Sequence, residues 1–293
     1  MSDAIDHLMR SRGLRTRPFG SAPETRAGAI HASPAHGRAR AVLDYGILSR
    51  ASMLLLTGGT GCGKTTLAGE IAAGAGDAAL AVGTVSGLRG RTGALMDFVL
   101  DAFAIEPPEG GGAAAAESAF AAHLVARYAE GRRTLLIVDD AHSLRDDEIE
   151  TLAALTHVNT AEDELVQVLL VGDTALRARL DAPRLAHVAG RMGVTAHLAP
   201  MEIADCVAYL RHRIAFAGGP EDLFTDRALR DVALAAGGVP RAANLLAEIV
   251  LVLGPDREGA PIGARMVERA VADGLVLLPG AAADPVAAPA AAA

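Results

Sequence analysis

The sequence predicts an α/β domain with a mostly parallel sheet, followed by a small all-helical domain. Three observations carry this. Short apolar runs alternate with helical patterns between residues 36 and 200. After Pro200 the strand-like runs stop and helical segments follow one another. A glycine-rich stretch, "GGTGCGKT" at 58–65, joins the first apolar run to the first strongly signalled helix.

In chain order, residues 1–35 mix Arg, Gly and Pro with weak periodicity and read as an extended Arg-rich segment. "HGRARAVLDYGILSR" (36–50) spaces Ala39, Val42, Leu43, Tyr45 and Ile47 as a helix does. "SMLLLTG" is a short apolar run ending in Gly, as a buried parallel strand requires. "KTTLAGEIAAGAG" follows as a helix, and "AALAVGTVS" (78–86) as a second strand. Helices are expected near 91–104 and 115–130, with "EPPEGGG" as the loop between them. "RRTLLIVDDAH" (132–142) is a buried strand with acids at its C-terminal end. "RDDEIETLAALTHV" is helical, its early Asp146, Asp147 and Glu148 matching the positive start of a helix. "ELVQVLLVGD" (164–173) and "GVTAHLAP" (193–200) are the remaining strands. "MEIADCVAYLRHRIAFAG", "TDRALRDVALAAGG" and "PRAANLLAEIVLVLG" are three helices, with a fourth at 263–273. The expected division is therefore 1–35, an α/β domain over 36–200, a helical lid over 201–275 and a disordered Ala/Pro tail over 276–293.

Composition narrows the chemistry. Of 293 residues 51% are apolar, yet there are only six Phe, three Tyr and no Trp, so the core must be Ala, Leu, Val and Ile. The net charge of −8 argues against a generic polyanion binder. Residues 1–50 nevertheless hold eight Arg against Asp3, Asp6, Glu24 and Asp44. The two cysteines, Cys62 and Cys206, form no CxxC pair and signal neither a metal site nor a disulfide framework. The N-terminus lacks an apolar signal region, and no run reaches the roughly 18–20 apolar residues of a membrane span. A reduced, cytoplasmic setting fits.

Lys64 is the only lysine; the other 26 basic residues are arginine, a bias that GC-rich coding explains. Its retention is informative. "GGTGCGKT" satisfies G-x-x-x-x-G-K-[ST], with a strand before it and a helix after. Gly58, Gly61 and Gly63 let the backbone of Gly58, Gly59, Thr60, Gly61, Cys62 and Gly63 wrap closely with N–H groups turned inward. The helix start at Lys64, Thr65 and Thr66 adds a positive dipole end. Lys64 reaches the β- and γ-phosphates as a compact charge, where a planar guanidinium would not seat. Thr65 offers a hydroxyl to Mg²⁺. The competing reading is a chance Gly-rich turn. Cys62 holds a variable loop position and needs no special role.

The second half of such a site is an acid that fixes the metal. "LLIVDDAH" places Asp139 at a strand end, 75 positions after Lys64. Asp139 would hold the metal and Asp140 would stand as general base for water attack, unless these acids serve solubility alone. His142 is read as a surface-loop histidine.

"RPFG", "SPAHGRARAVLDYGI", the phosphate loop, "LLIVDDAHSL", "QVLLVGDTALRARL", "GRM" and "GGVPRAANLL", in this order, resemble the ExeA-type AAA+ ATPases of the general secretion pathway. Related modules regulate DNA transposition in an ATP-dependent way. The resemblance runs from about Pro18 to about Gly254. It implies a P-loop NTPase of AAA+ type, a parallel sheet sandwiched by helices with an all-α lid. ATP and Mg²⁺ are the implied cofactors. "DDAH" is similar to the family's "DEAH", with the shorter Asp140 in place of Glu, which implies slow turnover. By the same resemblance Asp173 holds the sensor-1 place, where relatives usually carry Gln; a plain helix cap is the alternative. Arg191 in "AGRMGV" falls at the arginine-finger place, implying a homo-oligomer with intersubunit ATP sites, or it is one Arg among 26. Arg241, after the Gly237–Gly238–Pro240 turn, matches sensor 2. Segment 18–36 is the implied adenine contact.

Four outputs remain open. The first is an ATPase that drives or switches an envelope secretion or export assembly. The chain stops at 293 without the membrane segment such proteins can carry, so recruitment to the inner membrane would need a separate partner. The second is a DNA-binding regulator of transposition that recruits a transposase, with "MRSRGLRTR" touching nucleic-acid phosphates. A solvated arm is the commoner meaning of such a run. The third is a phosphotransferase using the clustered Arg177, Arg179 and Arg184. The fourth is an ATP-binding switch that hardly hydrolyses.

Overall fold

The computed structural model describes residues 2–20, 28, 30–74, 80–87, 93–107, 110, 112–159, 164–254, 260–276 and 278. It divides into an α/β unit, Pro23–Ala199, and a helical unit made of Met1–Ala22 with Pro200–Ala293.

Five strands build the α/β unit: β1 (Met53–Gly58), β2 (Leu80–Val85), β3 (Arg133–Val138), β4 (Val166–Gly172) and β5 (Met192–Leu198). All pair in parallel, in the order β2-β3-β4-β1-β5. Every residue of β1 and β4 is buried, which is why both read as continuous apolar runs rather than alternating ones. Helices cover both faces. Met53 and Leu55 of β1, Leu136 and Val138 of β3, and Val168 and Leu170 of β4 share one core. That core also takes in α4 (Leu95–Ala102), α5 (Ala113–Ala129), α6 (Asp146–Leu155), α7 (Thr174–Leu180) and α8 (Ala186–Ala189). The alternate residue Leu54 faces the other way, towards Gly46 of α2 (Pro34–Leu48), where an added Cβ would lie 2.6 Å from its side chain. The helix after the phosphate loop, α3 (Lys64–Gly74), packs on β1, β2 and β4. The expected sandwich of helices around a parallel sheet is therefore present.

Because the sheet is parallel, all strand C-termini lie on one edge. Gly58, Val138 and Gly172 end β1, β3 and β4 there, and β4 lies between the other two. A topology with these three neighbours brings residues far apart in sequence to one rim.

The helical unit holds α9 (Ile203–Phe216), α10 (Asp226–Ala235), α11 (Pro240–Leu253) and α12 (Ala264–Ala272), the four helices expected. The N-terminal segment differs from the extended reading. Ser2–Ser11 forms a helix, α1, and the chain after it is tied to the helical unit. Met9, Leu14 and Phe19 are buried. Phe19 meets Phe224 edge-on at 6.0 Å. The Arg15 amide donates to Ala217 O at 2.8 Å, the Arg213 guanidinium to Pro18 O at 2.7 Å, and Arg17 pairs with Glu248. Three apolar anchors spaced five residues apart hold a segment whose average composition looks like a solvated arm. The Ala/Pro tail lies outside the described residues from 279 onward, as does much of segment 18–36.

Candidate functional site

The phosphate loop occupies residues 58–65 at the rim after β1. Gly61 and Gly63 have φ of +82° and +100°, a region that side chains resist. Gly58 has no room for a Cβ, which would come within 2.4 Å of Leu198 O. These glycines permit a turn tight enough to start α3 at Lys64, whose first-turn N–H groups have no partner inside the helix. The Lys64 Nζ donates to Gly58 O and Gly59 O, both at 3.0 Å, so the only lysine of the chain closes the loop that carries it. Thr66 lies in the same first turn. Burial pushes the Cys62 thiol up, only partly offset by Lys64, which keeps the sulfur a neutral packing group. Burial likewise raises the Cys206 thiol to about 11.

Asp139 follows β3 and is 5% exposed. Its Oδ2 accepts from Thr65 Oγ1 at 2.7 Å, and its Oδ1 accepts from the Asp140 amide at 2.8 Å. Two residues 74 positions apart thus place two hard oxygen ligands side by side, the donor type Mg²⁺ takes. Among the described residues no group of three or more His, Cys, Asp or Glu gathers here or elsewhere.

Asp140 adopts φ +55°, a left-handed conformation that costs a non-glycine residue roughly 1 kcal/mol. The conformation turns the chain sharply after Asp139 and leaves the Asp140 side chain 49% exposed at the rim, with His142 Nδ1 4.0 Å from its Oδ1. The turn is braced by Ser143, whose hydroxyl donates to Asp140 O at 2.7 Å.

Asp173 follows β4 and so lies between Asp139 and the phosphate loop. Its carboxylate caps α7, accepting from the Leu176 amide at 3.2 Å. The helix-cap reading therefore describes its contact. Arg191 precedes β5, whose Met192 pairs with Met53 at the start of β1. It is thus at the far rim of the sheet, about 16 Å of strand from its own loop. There its Nη1 donates to Thr156 Oγ1 at 2.8 Å. Arg191 cannot serve the phosphate loop of its own chain.

Arg241 is exposed in the first turn of α11. Gly238, just before it, has φ +71°, and a Cβ would lie 1.9 Å from Met201 O. The cluster Arg177, Arg179 and Arg184 is taken up by acids of the same unit: Arg177 with Asp181, and both others with Asp146. That removes the observation that favoured a phosphotransferase.

One contact beside the loop was not anticipated. His36, buried at the start of α2, meets Glu70 of α3 at 2.6 Å through Nε2. It ties α2 to the phosphate-loop helix. The sequence signal was only a His three residues after Ser33, the helix cap.

Residues 47–180 match a family model described as an AAA domain. Over 82% of its length the chain is 32% identical to general secretion pathway protein A of Aeromonas hydrophila, and it spans 43% of that relative. Among solved structures it is similar to the ORC2 protein of Aeropyrum pernix, at 17% identity over 89% of this chain and 72% of that one, with a TM-score of 0.65. It is also similar to Cdc6p of Pyrobaculum aerophilum, at 20% identity over 88% of this chain and 66% of that one, with a TM-score of 0.60. These likenesses agree with the parallel sheet and helical C-terminal region on fold.

Proposed function

From the premise that this chain is an AAA-type P-loop protein similar to general secretion pathway protein A, we propose that it binds Mg²⁺-ATP and hydrolyses it to ADP and phosphate. The observation that carries the reading is the 2.7 Å approach of Thr65 and Asp139 beside the Lys64 loop. A phosphate-binding loop beside a pair of oxygens suited to Mg²⁺ is the combination this reaction needs.

The residues divide the work by chemistry. Loop N–H groups and the α3 start cradle phosphate oxygens. The Lys64 ammonium exchanges its two carbonyl partners for β- and γ-phosphate oxygens. Thr65 and Asp139 hold Mg²⁺, which neutralises charge on the phosphates. Asp140 accepts a proton from the attacking water, and its short, half-exposed carboxylate makes the step slow. Asp173 senses the γ-phosphate side, Arg241 does so from α11 by family resemblance, and Arg191 acts on a neighbouring subunit's nucleotide.

The ATPase drives or switches an envelope secretion or export assembly, held on the cytoplasmic side by a membrane partner. The likeness to general secretion pathway protein A supports this. The alternative is a DNA-binding regulator of transposition. It draws on the N-terminal arginines, but Arg17 is engaged with Glu248 and the Arg15 backbone with Ala217. Measuring ATP turnover and particle mass with and without double-stranded DNA, at stated salt, separates the two. Unchanged values support the envelope reading, and a rise in both overturns it in favour of the DNA reading.

A further inference from the structure

The rim holds a second layer of contacts that the ATP-binding residues do not use. Arg179, near the end of α7, reaches back to the segment that follows Asp140. Its Nη1 donates to His142 O at 3.0 Å, and its Nη2 donates to Leu144 O at 2.8 Å and to Asp146 Oδ1 at 2.6 Å. One planar guanidinium thus binds two carbonyls of a loop and the first residue of the next helix, α6. A lysine ammonium on a flexible stem cannot hold that flat three-acceptor arrangement. Gly172 brings the β4 end close to the same segment. A Cβ there would lie 3.3 Å from the His142 amide nitrogen and 2.6 Å from Leu176.

The geometry ties together Asp140 and Asp173, the acids that follow the neighbouring strands β3 and β4. Asp173 caps the first turn of α7, and Arg179 leaves that helix less than two turns later. A seven-residue helix has little internal play, so a change at its cap moves its far end. At the other end of the strut, the 140–143 turn is closed by Ser143 on Asp140 O, at 2.8 Å from its amide and 2.7 Å from its hydroxyl. Displacing the 142 and 144 carbonyls displaces Asp140 with them.

We propose that Arg179 is a positioning residue that couples the Asp173 end of α7 to the Asp139–Asp140 turn, so that loss of the Asp173 cap re-aims the Asp140 carboxylate. This rests on the ATPase reading for its effect on turnover, though not for the mechanical link itself. Arg184 provides an internal control. It shares Asp146, at 3.3 Å, and among the described residues bonds to neither loop carbonyl.

The test uses the full chain with Arg179→Ala, Arg179→Lys, Arg184→Ala, Asp173→Ala and the Asp173→Ala/Arg179→Ala double variant. The readouts are kcat, KM, ADP affinity, and amide exchange of peptides covering 141–146 without nucleotide. For Arg179→Ala and Arg179→Lys, kcat should fall about tenfold or more while KM and ADP affinity stay within about threefold. Exchange over 141–146 should quicken, and Arg184→Ala should change none of these. Asp173→Ala should quicken the same exchange, and add nothing once Arg179 is gone, a non-additivity that a purely local role does not produce. Additive exchange effects, or unchanged exchange in Arg179→Ala, would overturn the link. Faster exchange with unchanged kcat would overturn its role in positioning Asp140. If the wild-type chain hydrolyses no ATP, the ATPase reading fails, and the exchange cycle still decides the coupling.

Discussion

Lys64 carries more of the account than any other residue, because its Nζ is the single ε-amine of the chain. An amine-reactive reagent should therefore label only Lys64 and the N-terminus, and Mg²⁺-ATP should protect Lys64, as intact mass and peptide mapping would record. Lys64→Ala should weaken nucleotide binding or turnover by about 100-fold or more, and Lys64→Arg should not restore it, since a planar guanidinium does not replace a compact ammonium that two loop carbonyls hold. Asp140 invites the reverse experiment. Asp140→Glu lengthens the side chain by one methylene and should raise kcat, whereas Asp140→Asn should lower it with KM held; steady-state phosphate release reads both. At this scale the sequence was most legible. The phosphate loop, Thr65 and Asp139 follow from residue types at fixed spacing, and the 2.7 Å Thr65–Asp139 contact agrees with that pairing. Arg179 was visible only as one of three clustered arginines, because two of its three acceptors are backbone carbonyls, which no sequence pattern displays.

At the scale of elements, strands were recognisable because a parallel strand buried on both faces is mostly apolar, as β1 and β4 are apart from Thr57 and Gln167. Helix α1 was not, since ten residues that include two Ser and two Asp are marginal alone beside Gly13 and Pro18, and the segment after it is held by Leu14 and Phe19 against residues some 200 positions away, Gly219 and Phe224. The start of α11 is more constrained. Gly238→Ala combines a left-handed φ with a clash against Met201 O, and should destabilise the helical unit by at least about 2 kcal/mol in thermal or denaturant melts. Just before β4, burial pushes the Glu164 carboxyl up to about 7, with Ser52, Arg133 and Arg50 opposing the shift. The native state then binds more protons than the unfolded chain between pH 4.5 and about 7. Stability from this group is greatest below pH 4.5 and is lost as pH rises through 7, a cost on the order of 3 kcal/mol. Glu164→Gln should flatten that slope in melts taken from pH 5 to 8.

At the scale of the molecule, the parallel sheet decides what one chain can do alone. It gathers Lys64, Asp139, Asp140 and Asp173 on one rim and leaves Arg191 on the other. If Arg191 acts on phosphates, as proposed, they are those of another copy. Arg191→Ala should accordingly leave ATP affinity unchanged, lower turnover about 10³-fold in assembled protein, and be complemented by mixing with Asp140→Asn subunits. Phosphate release from ATP by the purified chain, with and without Mg²⁺ and beside Lys64→Ala, decides whether this rim turns over nucleotide. Slow, Mg²⁺-dependent release that Lys64→Ala abolishes is the expected result. Release that is indifferent to Mg²⁺, or equal in Lys64→Ala, would contradict it.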